Sequence, residues 1–193
     1  MESLSPLYDN LKRFVPLDTE LEDQLASIAR IANLKKREFL DQPGVVSHYR
    51  NYILQGAFYS YLLDADGKEH TVQIALEDWF VSDFYSYITQ SPATLYVQAM
   101  EDSTLIQFHY NDIEALCKKS HLLSEYFRVT TEKAFAFSRK RALTNLSLSA
   151  EERYLELLRR YPEMNRRFPQ KVIASYLGIS AEFLSKIKKR LHT

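Results

Sequence analysis

The chain has 193 residues, of which 46% are hydrophobic, and its 25 Lys and Arg are balanced by 25 Asp and Glu. With only 4 Gly and 6 Pro, this composition excludes a disordered or low-complexity chain and favours two modest globular domains over one large domain. Cys117 is the only cysteine, which excludes an intramolecular disulfide and an all-cysteine iron–sulfur cluster.

Charge is distributed unevenly along the chain. Residues 148–193 contain ten Lys or Arg against five Asp or Glu, and from residue 164 onward the ratio is seven to one. A basic C-terminal part of this kind suits a polyanionic partner. Residues 1–6 show no basic leader followed by an apolar stretch, and nowhere do eighteen apolar residues run together. We therefore expect a cytoplasmic protein that does not enter a membrane.

The N-terminal part of the chain predicts two short helices. Residues 6–14 and residues 19–31 carry apolar side chains at helical spacing, and Asp18 is placed to cap the second helix. Both helices precede a region of different pattern, so we expect them to form a lead-in to the first domain.

Residues 32–108 consist of short β-rich runs separated by turn signals. Several short strands at regular spacing predict an antiparallel sandwich or barrel. The clearest hairpin joins residues 59–63 to residues 70–74 through the Asp66-Gly67 turn.

Residues 113–146 contain neither Gly nor Pro and predict a long helix. Its apolar stripe needs a partner, which is the β-domain, a second copy of the helix, or both. We expect the second copy to contribute, in a symmetric homodimer. The predicted dimerisation residues are Leu123, Phe127, Ala134 and Phe137.

Beyond this helix, Ser149 and Glu152 have the spacing of a capping box that opens another helix.

Residues 169–191 predict a helix-turn-helix. Pro169 suits the first turn of a helix, Gly178 can take the positive φ needed just past its end, and Ser180 can cap the second helix. The apolar residues that we expect to face inward are Val172, Ile173, Tyr176, Leu177, Ile179, Leu184, Ile187 and Leu191. An amphipathic helix pair with a merely solvated basic face is the alternative interpretation, but it does not account for the turn, the cap and the local charge together.

The second helix of this pair is expected to enter the major groove of DNA with its N-terminal residues nearest the bases. Glu182 can accept from a cytosine amino group and Lys186 can donate to guanine. Arg166 and Arg167 are expected to contact phosphates, as are several of the residues below. The predicted DNA-binding residues are Lys171, Ser180, Ala181, Glu182, Ser185, Lys186, Lys189 and Arg190.

The stretch IASYLGISAEFLSKI at residues 173–187 closely resembles the recognition motif of the Crp/Fnr family of bacterial transcription regulators. The resemblance extends upstream to Gln55-Gly56, to the hairpin at residues 66–69 and to residues 99–106, and so covers nearly the whole chain. It implies an α+β fold: an N-terminal antiparallel β jelly roll like a cyclic-nucleotide-binding domain, a long connecting helix, and a C-terminal helix-turn-helix domain that binds palindromic DNA.

The chain departs from this family at the nucleotide-binding cassette. Nucleotide-binding members carry a Gly-Glu pair followed by an Arg, and Ser82, Asp83 and Ala93 stand at those positions here. Because the cation that pairs with the cyclic phosphate is missing, we expect that cyclic AMP is not the ligand. The candidate effector pocket consists of Tyr61, Ser82, Asp83, Phe84, Ala93 and Thr94.

Aromatic residues are concentrated around that pocket. They are interpreted either as sheet core or as the lining of a site for a small apolar or aromatic effector. The cluster comprises Phe58, Tyr59, Tyr61, Trp79, Phe80, Phe84, Tyr85, Tyr87 and Tyr96.

A second departure concerns the wing, a β-hairpin that the family places after the recognition helix. Only His192 and Thr193 follow Leu191 in the given sequence. The expectation is that DNA is held without a wing or with a reduced tail.

No catalytic constellation is found, and the five His have no metal-ligand spacing. We therefore expect a protein that is not an enzyme and has no cofactor: a dimeric, sequence-specific DNA-binding regulator. Its expected partners are double-stranded DNA and a second copy, and RNA polymerase is a candidate partner. The alternative is a ligand- or protein-binding module whose helix-turn-helix no longer binds DNA. The expected domains are residues 1–112 (sensor), 113–146 (dimerisation helix) and 147–193 (DNA binding).

Overall fold

A computed structural model describes residues 3–191 of the chain. Two short helices come first, α1 (Ser5–Lys12) and α2 (Thr19–Ile28). The Asp18 side chain accepts a hydrogen bond from the backbone N–H of Leu21 at 2.8 Å, which confirms the predicted cap. The second helix ends three residues earlier than predicted, because the chain turns extended at Ala29 and pairs with another strand.

The next part of the chain forms a two-sheet β-roll, as predicted. Its strands are β1 (Ala29–Leu34), β2 (Phe39–Asp41), β3 (Tyr49–Gln55), β4 (Phe58–Leu63), β5 (Glu69–Ala75), β6 (Phe80–Val81), β7 (Tyr96–Ala99) and β8 (Ser103–His109). The first sheet has the order β1-β8-β3-β6 and the second has the order β2-β7-β4-β5, with antiparallel pairing throughout. Between the sheets lie buried apolar residues such as Ile53, Phe58, Val97 and Leu105.

The predicted hairpin is confirmed, and a helix that was not predicted interrupts the roll. Strands β4 and β5 pair from Phe58↔Ala75 to Leu63↔Glu69, and Gly67 has φ +76° in the turn between them. Helix α3 (Phe84–Thr89) occupies a stretch whose aromatic residues favour strand. Asp83 caps this helix, and tertiary packing overrides the local preference.

The long helix expected over residues 113–146 is divided, which corrects the prediction. Helix α4 (Tyr110–Lys119) and helix α5 (His121–Ser147) meet at Ser120. The Ser120 N–H still donates to Leu116 at 2.8 Å, while its hydroxyl accepts from the Leu123 N–H at 3.3 Å. One residue thus ends the first helix and caps the second.

The apolar stripe of this segment packs largely within the chain itself. Leu123 is 1% exposed in a core shared with α1 and α2. The ring of Phe127 lies 4.0 Å from the Arg50 guanidinium, and the ring of Phe137 lies 4.4 Å from that of Arg160. Only Ala134 of the four predicted dimer contacts is fully exposed. The buried Leu123 therefore has no surface to offer a second copy, which corrects its predicted role.

Four helices complete the described chain: α6 (Ala150–Arg160), α7 (Met164–Arg167), α8 (Gln170–Tyr176) and α9 (Ala181–Leu191). The capping box of Ser149 and Glu152 is present as predicted. These helices and the outer face of β4 and β5 share one buried apolar cluster. In the described range, residues 3–191, no helix has the length and apolar character that a membrane crossing requires.

Candidate functional site

The turn between α8 and α9 has the geometry that its sequence predicts. Gly178 has φ +69°, and its N–H donates to the Ser175 carbonyl at 3.0 Å. The next N–H, that of Ile179, reaches back to the Ala174 carbonyl at 3.0 Å. This pair of bonds is a Schellman motif, which ends α8 and turns the chain toward α9.

The second helix begins at a polar cap. The Ser180 hydroxyl accepts from the Phe183 N–H at 3.1 Å. The side chain of Gln170 donates to the Ala181 carbonyl at 2.8 Å and so ties the start of α8 to the start of α9. These local bonds fix the angle between the two helices before any packing is considered.

Burial divides α9 into an inner and an outer face. Leu184 and Ile187 are fully buried against α8, as predicted, whereas Leu191 is exposed at the helix end. The outer face carries the exposed residues Glu182, Phe183, Lys186, Lys189 and Arg190, with the partly buried Ala181 and Ser185 beside them. Its own backbone N–H and the Ser180 hydroxyl lower the pKa of the Glu182 carboxyl, so this group is ionised at the N-terminus of the helix.

The predicted phosphate contacts Arg190 and Lys171 each lie beside a carboxylate of the protein itself. Arg190 pairs with Glu151 at the start of α6 at 2.8 Å. Lys171 lies 3.4 Å from Glu69 of the β-roll. Both side chains are more than half exposed, so these are weak pairs that a phosphate can replace.

Helix α8 docks on the edge of the second sheet. The Ser175 hydroxyl accepts from the Thr71 N–H at 2.8 Å and donates to the Glu69 carbonyl at 3.1 Å. Arg141 of α5 donates to the carbonyl of Val72, which also lies in β5. Because β5 is an edge strand, these bonds satisfy backbone groups that are otherwise unpaired.

Arg167 is the strongest polar link between the helical unit and the roll, and not a phosphate contact as predicted. Its guanidinium, 11% exposed, donates to both oxygens of Glu77 at 2.6 and 2.7 Å and to Glu101 at 2.5 Å. The bond to Glu77 is the main reason why the pKa of Arg167 is raised. Burial acts to raise the pKa of Glu77, but the Arg167 side chain and the Gly56 N–H outweigh it and lower that pKa. Arg167 is therefore committed to this pair.

An apolar contact accompanies this link. Tyr61, predicted to line an effector pocket in the roll, stacks on Tyr59 at 4.8 Å and on Tyr96 at 5.1 Å between ring centres. Tyr59, Tyr61 and Ile74 lie in the same buried cluster as the inner residues of α8 and α9. Tyr61 thus belongs to the surface on which the helix-turn-helix docks, which corrects its predicted place.

The remaining residues of the predicted effector pocket centre on Asp83. Its carboxylate accepts from the backbone N–H groups of Ser86, Thr94 and Leu95 at 2.8 to 3.1 Å. Burial acts to raise its pKa, but these three bonds prevail and lower it. Its own N–H donates to the carboxylate of Asp41 at 2.8 Å. The backbone donors of this loop therefore already hold an anion that belongs to the protein.

The other predicted pocket residues differ in exposure. Ser82 is hydrogen-bonded inside the roll to Asn51 and to the Tyr49 carbonyl, and Ala93 is buried. Phe84 is exposed on α3. A cation that was not predicted lies near this region: the guanidinium of Arg50 is 4.0 to 6.0 Å from the ring centres of Phe80, Phe84, Tyr87 and Phe127. No sequence motif marks Arg50, because the rings come from residues 80–87 and from residue 127, both far from Arg50 in the sequence.

The larger aromatic cluster is mostly core. Its buried members include Phe58, Tyr59, Tyr61 and Tyr87, while Phe84 and Tyr85 are exposed. Among residues 3–191, no group of three or more His, Cys, Asp or Glu is arranged to hold a metal ion. Of the five His, His192 lies outside the described residues, as do Met1, Glu2 and Thr193.

Comparisons with known proteins show the fold. No protein-family model and no curated protein matches the chain. Among solved structures, it is similar to the c-di-GMP responsive global regulator CLP of Xanthomonas campestris (TM-score 0.73, 14% identity, 91% of this chain and 92% of that chain). It is also similar to FixK2 of Bradyrhizobium japonicum (0.71, 20%, 86% and 85%) and to a putative Crp/Fnr-family regulator of Eubacterium rectale (0.70, 14%, 91% and 84%). The chain therefore has the fold of Crp/Fnr regulators, which confirms the predicted fold class.

Proposed function

We propose that this chain is a transcription regulator of the Crp/Fnr type, which binds DNA through α8 and α9. The outer face of α9 carries the proposal. Its apolar residues Leu184 and Ile187 are buried, its turn is fixed by a Schellman motif, and Lys186 and Lys189 stand on the side that α8 leaves uncovered. The fold shared with CLP and FixK2 supports the same function.

Binding to DNA is tested by fluorescence anisotropy with mixed genomic fragments at two salt concentrations. Since cations on α9 neutralise phosphates, affinity is expected to fall steeply as salt rises. Changing Lys186 and Lys189 together to Glu is expected to weaken binding at least about 100-fold. Lys119→Glu, an exposed change at the end of α4, is the matched control and should bind as the wild type does. Selection from a random DNA pool then identifies the operator.

We propose that the functional unit is a homodimer formed along α5. This helix exposes Phe135 (64%), Leu143 (63%) and Leu146 (88%), and these residues replace the buried Leu123 in the proposed interface. An exposed apolar helix face of this kind suits pairing with a second copy. Sedimentation should show a dimer for the wild type and a monomer when Phe135 and Leu146 are both changed to Glu.

We further propose that the roll does not sense cyclic AMP. Asp83 already occupies the backbone donors of its loop, and Ala93 provides no cation there. A cyclic phosphate placed near Asp83 would meet a negative charge. Thermal denaturation with millimolar cyclic AMP or cyclic GMP should give no stabilisation, and a rise in melting temperature with either would refute this point.

The second candidate function is a ligand- or protein-binding module without DNA binding. The engagement of Arg167 and Lys171 by the roll favours it, because these cations are turned toward the protein. A chain that binds DNA equally weakly in the wild type and in the Lys186 and Lys189 double variant would establish this alternative.

A further inference from the structure

A cleft lies where the connecting helix meets the helix-turn-helix unit. Its walls are the second half of α5, helix α6 and the C-terminal end of α8. Its cavity volume is about 70 Å³, and its mouth is open to solvent. None of the residues predicted for DNA binding or for the roll pocket lines it.

Positive charge dominates this cleft. Four cations line it, and the only carboxylate among the lining residues is that of Glu156. Glu156 is partly buried and lies 3.6 Å from the exposed Lys140, so it neutralises at most one of the four. The cations are Lys140, Arg141, Arg153 and Arg160.

Two of these arginines are held by neutral groups. Arg141 donates to the carbonyls of Val72 and Tyr176, and Arg153 donates to those of Leu148 and Leu177. Neither guanidinium lies within 4.0 Å of a carboxylate oxygen of residues 3–191. Burial lowers the pKa of the Arg141 guanidinium. Such cations gain more from a nearby anion than exposed ones do.

One buried donor at the cleft has no hydrogen-bond partner. The Nε of Arg153 is shielded from solvent and meets no acceptor in the described part of the chain. Buried polar groups are nearly always hydrogen-bonded, so this unpaired donor beside the cleft is unusual.

Aromatic rings line the cleft beside its cations. The guanidinium of Arg141 lies 3.8 Å from the ring centre of Tyr176, and that of Arg160 lies 4.4 Å from that of Phe137. Tyr161 also lines the cleft, 5.5 Å from Arg160. Aromatic rings and cations that line one cleft suit a ligand with a flat apolar body and a negative group.

We propose that this cleft binds a small organic anion that carries an aromatic ring, with Arg160 and Lys140 at its negative group and the rings against its flat body. The anionic group is a phosphate, as in a mononucleotide, or a carboxylate, as in an aryl acid. A ligand here would contact α5 and α6 together, and so would stabilise their junction by mass action. The proposal does not depend on DNA binding.

The single tryptophan of the chain offers a direct readout. The ring of Trp79 lies 5.3 Å from that of Tyr161 in an edge-to-face contact, so a ligand against Tyr161 should change tryptophan emission. The probes are AMP and phenylacetate for the two anionic groups, adenosine for a ring without charge, and inorganic phosphate for charge without a ring. We expect saturable binding of AMP or phenylacetate, at least about tenfold tighter than adenosine or inorganic phosphate.

Charge reversal in the cleft tests the site itself. Arg160→Glu should weaken binding of the aromatic anion at least about tenfold, and Lys140→Gln should weaken it in the same direction. Arg159→Glu is the matched control, because Arg159 is the exposed neighbour in the same helix and does not line the cleft. No binding of either aromatic anion up to about 10 mM, equal binding of adenosine, or an equal loss in Arg159→Glu would overturn the proposal. DNA binding is measured separately, so its failure is distinguishable from failure here.

Discussion

The two sides of the helix-turn-helix unit carry similar polar and basic residues, but these residues contact the roll on one side and solvent on the other. On the side that faces the roll, Arg167 is held by two carboxylates and Ser175 completes the edge of β5. On the opposite side, Glu182 and Lys186 of α9 stand in solvent. Neighbouring basic residues of one short segment are thus divided between holding the fold together and facing outward.

The difference is one of desolvation. A guanidinium withdrawn from water is stabilised only by close, well-oriented acceptors, and removing them leaves a costly charge. Exposed charges cost little and contribute little to stability, but they are available to a polyanion. Charge by itself therefore identifies the segment as basic without showing which of its cations face solvent.

The largest expected effect comes from the apolar part of the roll-facing side. Tyr61→Ala removes a ring stacked between Tyr59 and Tyr96 and should lower the free energy of unfolding by about 3 kcal/mol. Urea denaturation measures it. Tyr61→Phe keeps the ring and should lose less than about 1 kcal/mol. A loss for Tyr61→Ala as small as that of Tyr61→Phe would show that the docking surface contributes little.

The polar link should come next. Arg167→Ala leaves Glu77 and Glu101 without their cation and should cost about 2 kcal/mol, below the value for fully buried pairs because both carboxylates are more than a third exposed. Arg166→Ala is the matched control: its pair with Glu163 is exposed, and it should cost under about 0.5 kcal/mol. Equal losses in the free energy of unfolding for the two variants, measured by urea denaturation, would contradict this difference between the two arginines.

The same link predicts a pH dependence. The pKa of Glu77 is lowered in the folded chain from its ordinary value of 4.5, so its contribution is fully present above pH 4.5 and is lost as the pH falls through the folded pKa. Melting temperatures recorded from about pH 6 to pH 3 should fall more steeply for the wild type than for Arg167→Ala. Parallel curves would contradict the assignment of this acid-sensitive contribution to Glu77.

The smallest effect concerns the turn. Gly178→Ala adds a Cβ that meets no neighbour within 4 Å, so only the backbone at φ +69° resists it, at about 1 kcal/mol. Gly67→Ala, at φ +76° and equally open, should cost the same in the roll. The two should differ in anisotropy measurements, where only Gly178→Ala is expected to weaken DNA binding. An equal loss of DNA affinity in Gly67→Ala would contradict a specific role in DNA binding for the turn at Gly178.

Much of the local structure was predictable, because it depends on neighbours in the sequence. The Asp18 cap, the hairpin around Gly67, the capping box of Ser149 and the turn at Gly178 all have the predicted geometry. Helix α3 was not predicted, because its aromatic residues favour a strand when only their own stretch of sequence is considered. The division at Ser120 was missed because a polar residue within a helix-rich run is ambiguous without its partners.

The amino-acid sequence alone determined most of the helices and strands, the roll, and the basic helix-turn-helix, since each rests on periodicity, caps and turns within a few residues. The tertiary structure decided which side chains are buried together. It placed Leu123 in the core, Tyr61 under the docked helices and Arg167 between two carboxylates. Those outcomes depend on contacts between segments about 60 to 100 residues apart in the sequence. The free energy of such a contact depends on how far both partners are removed from water, which only the folded structure determines.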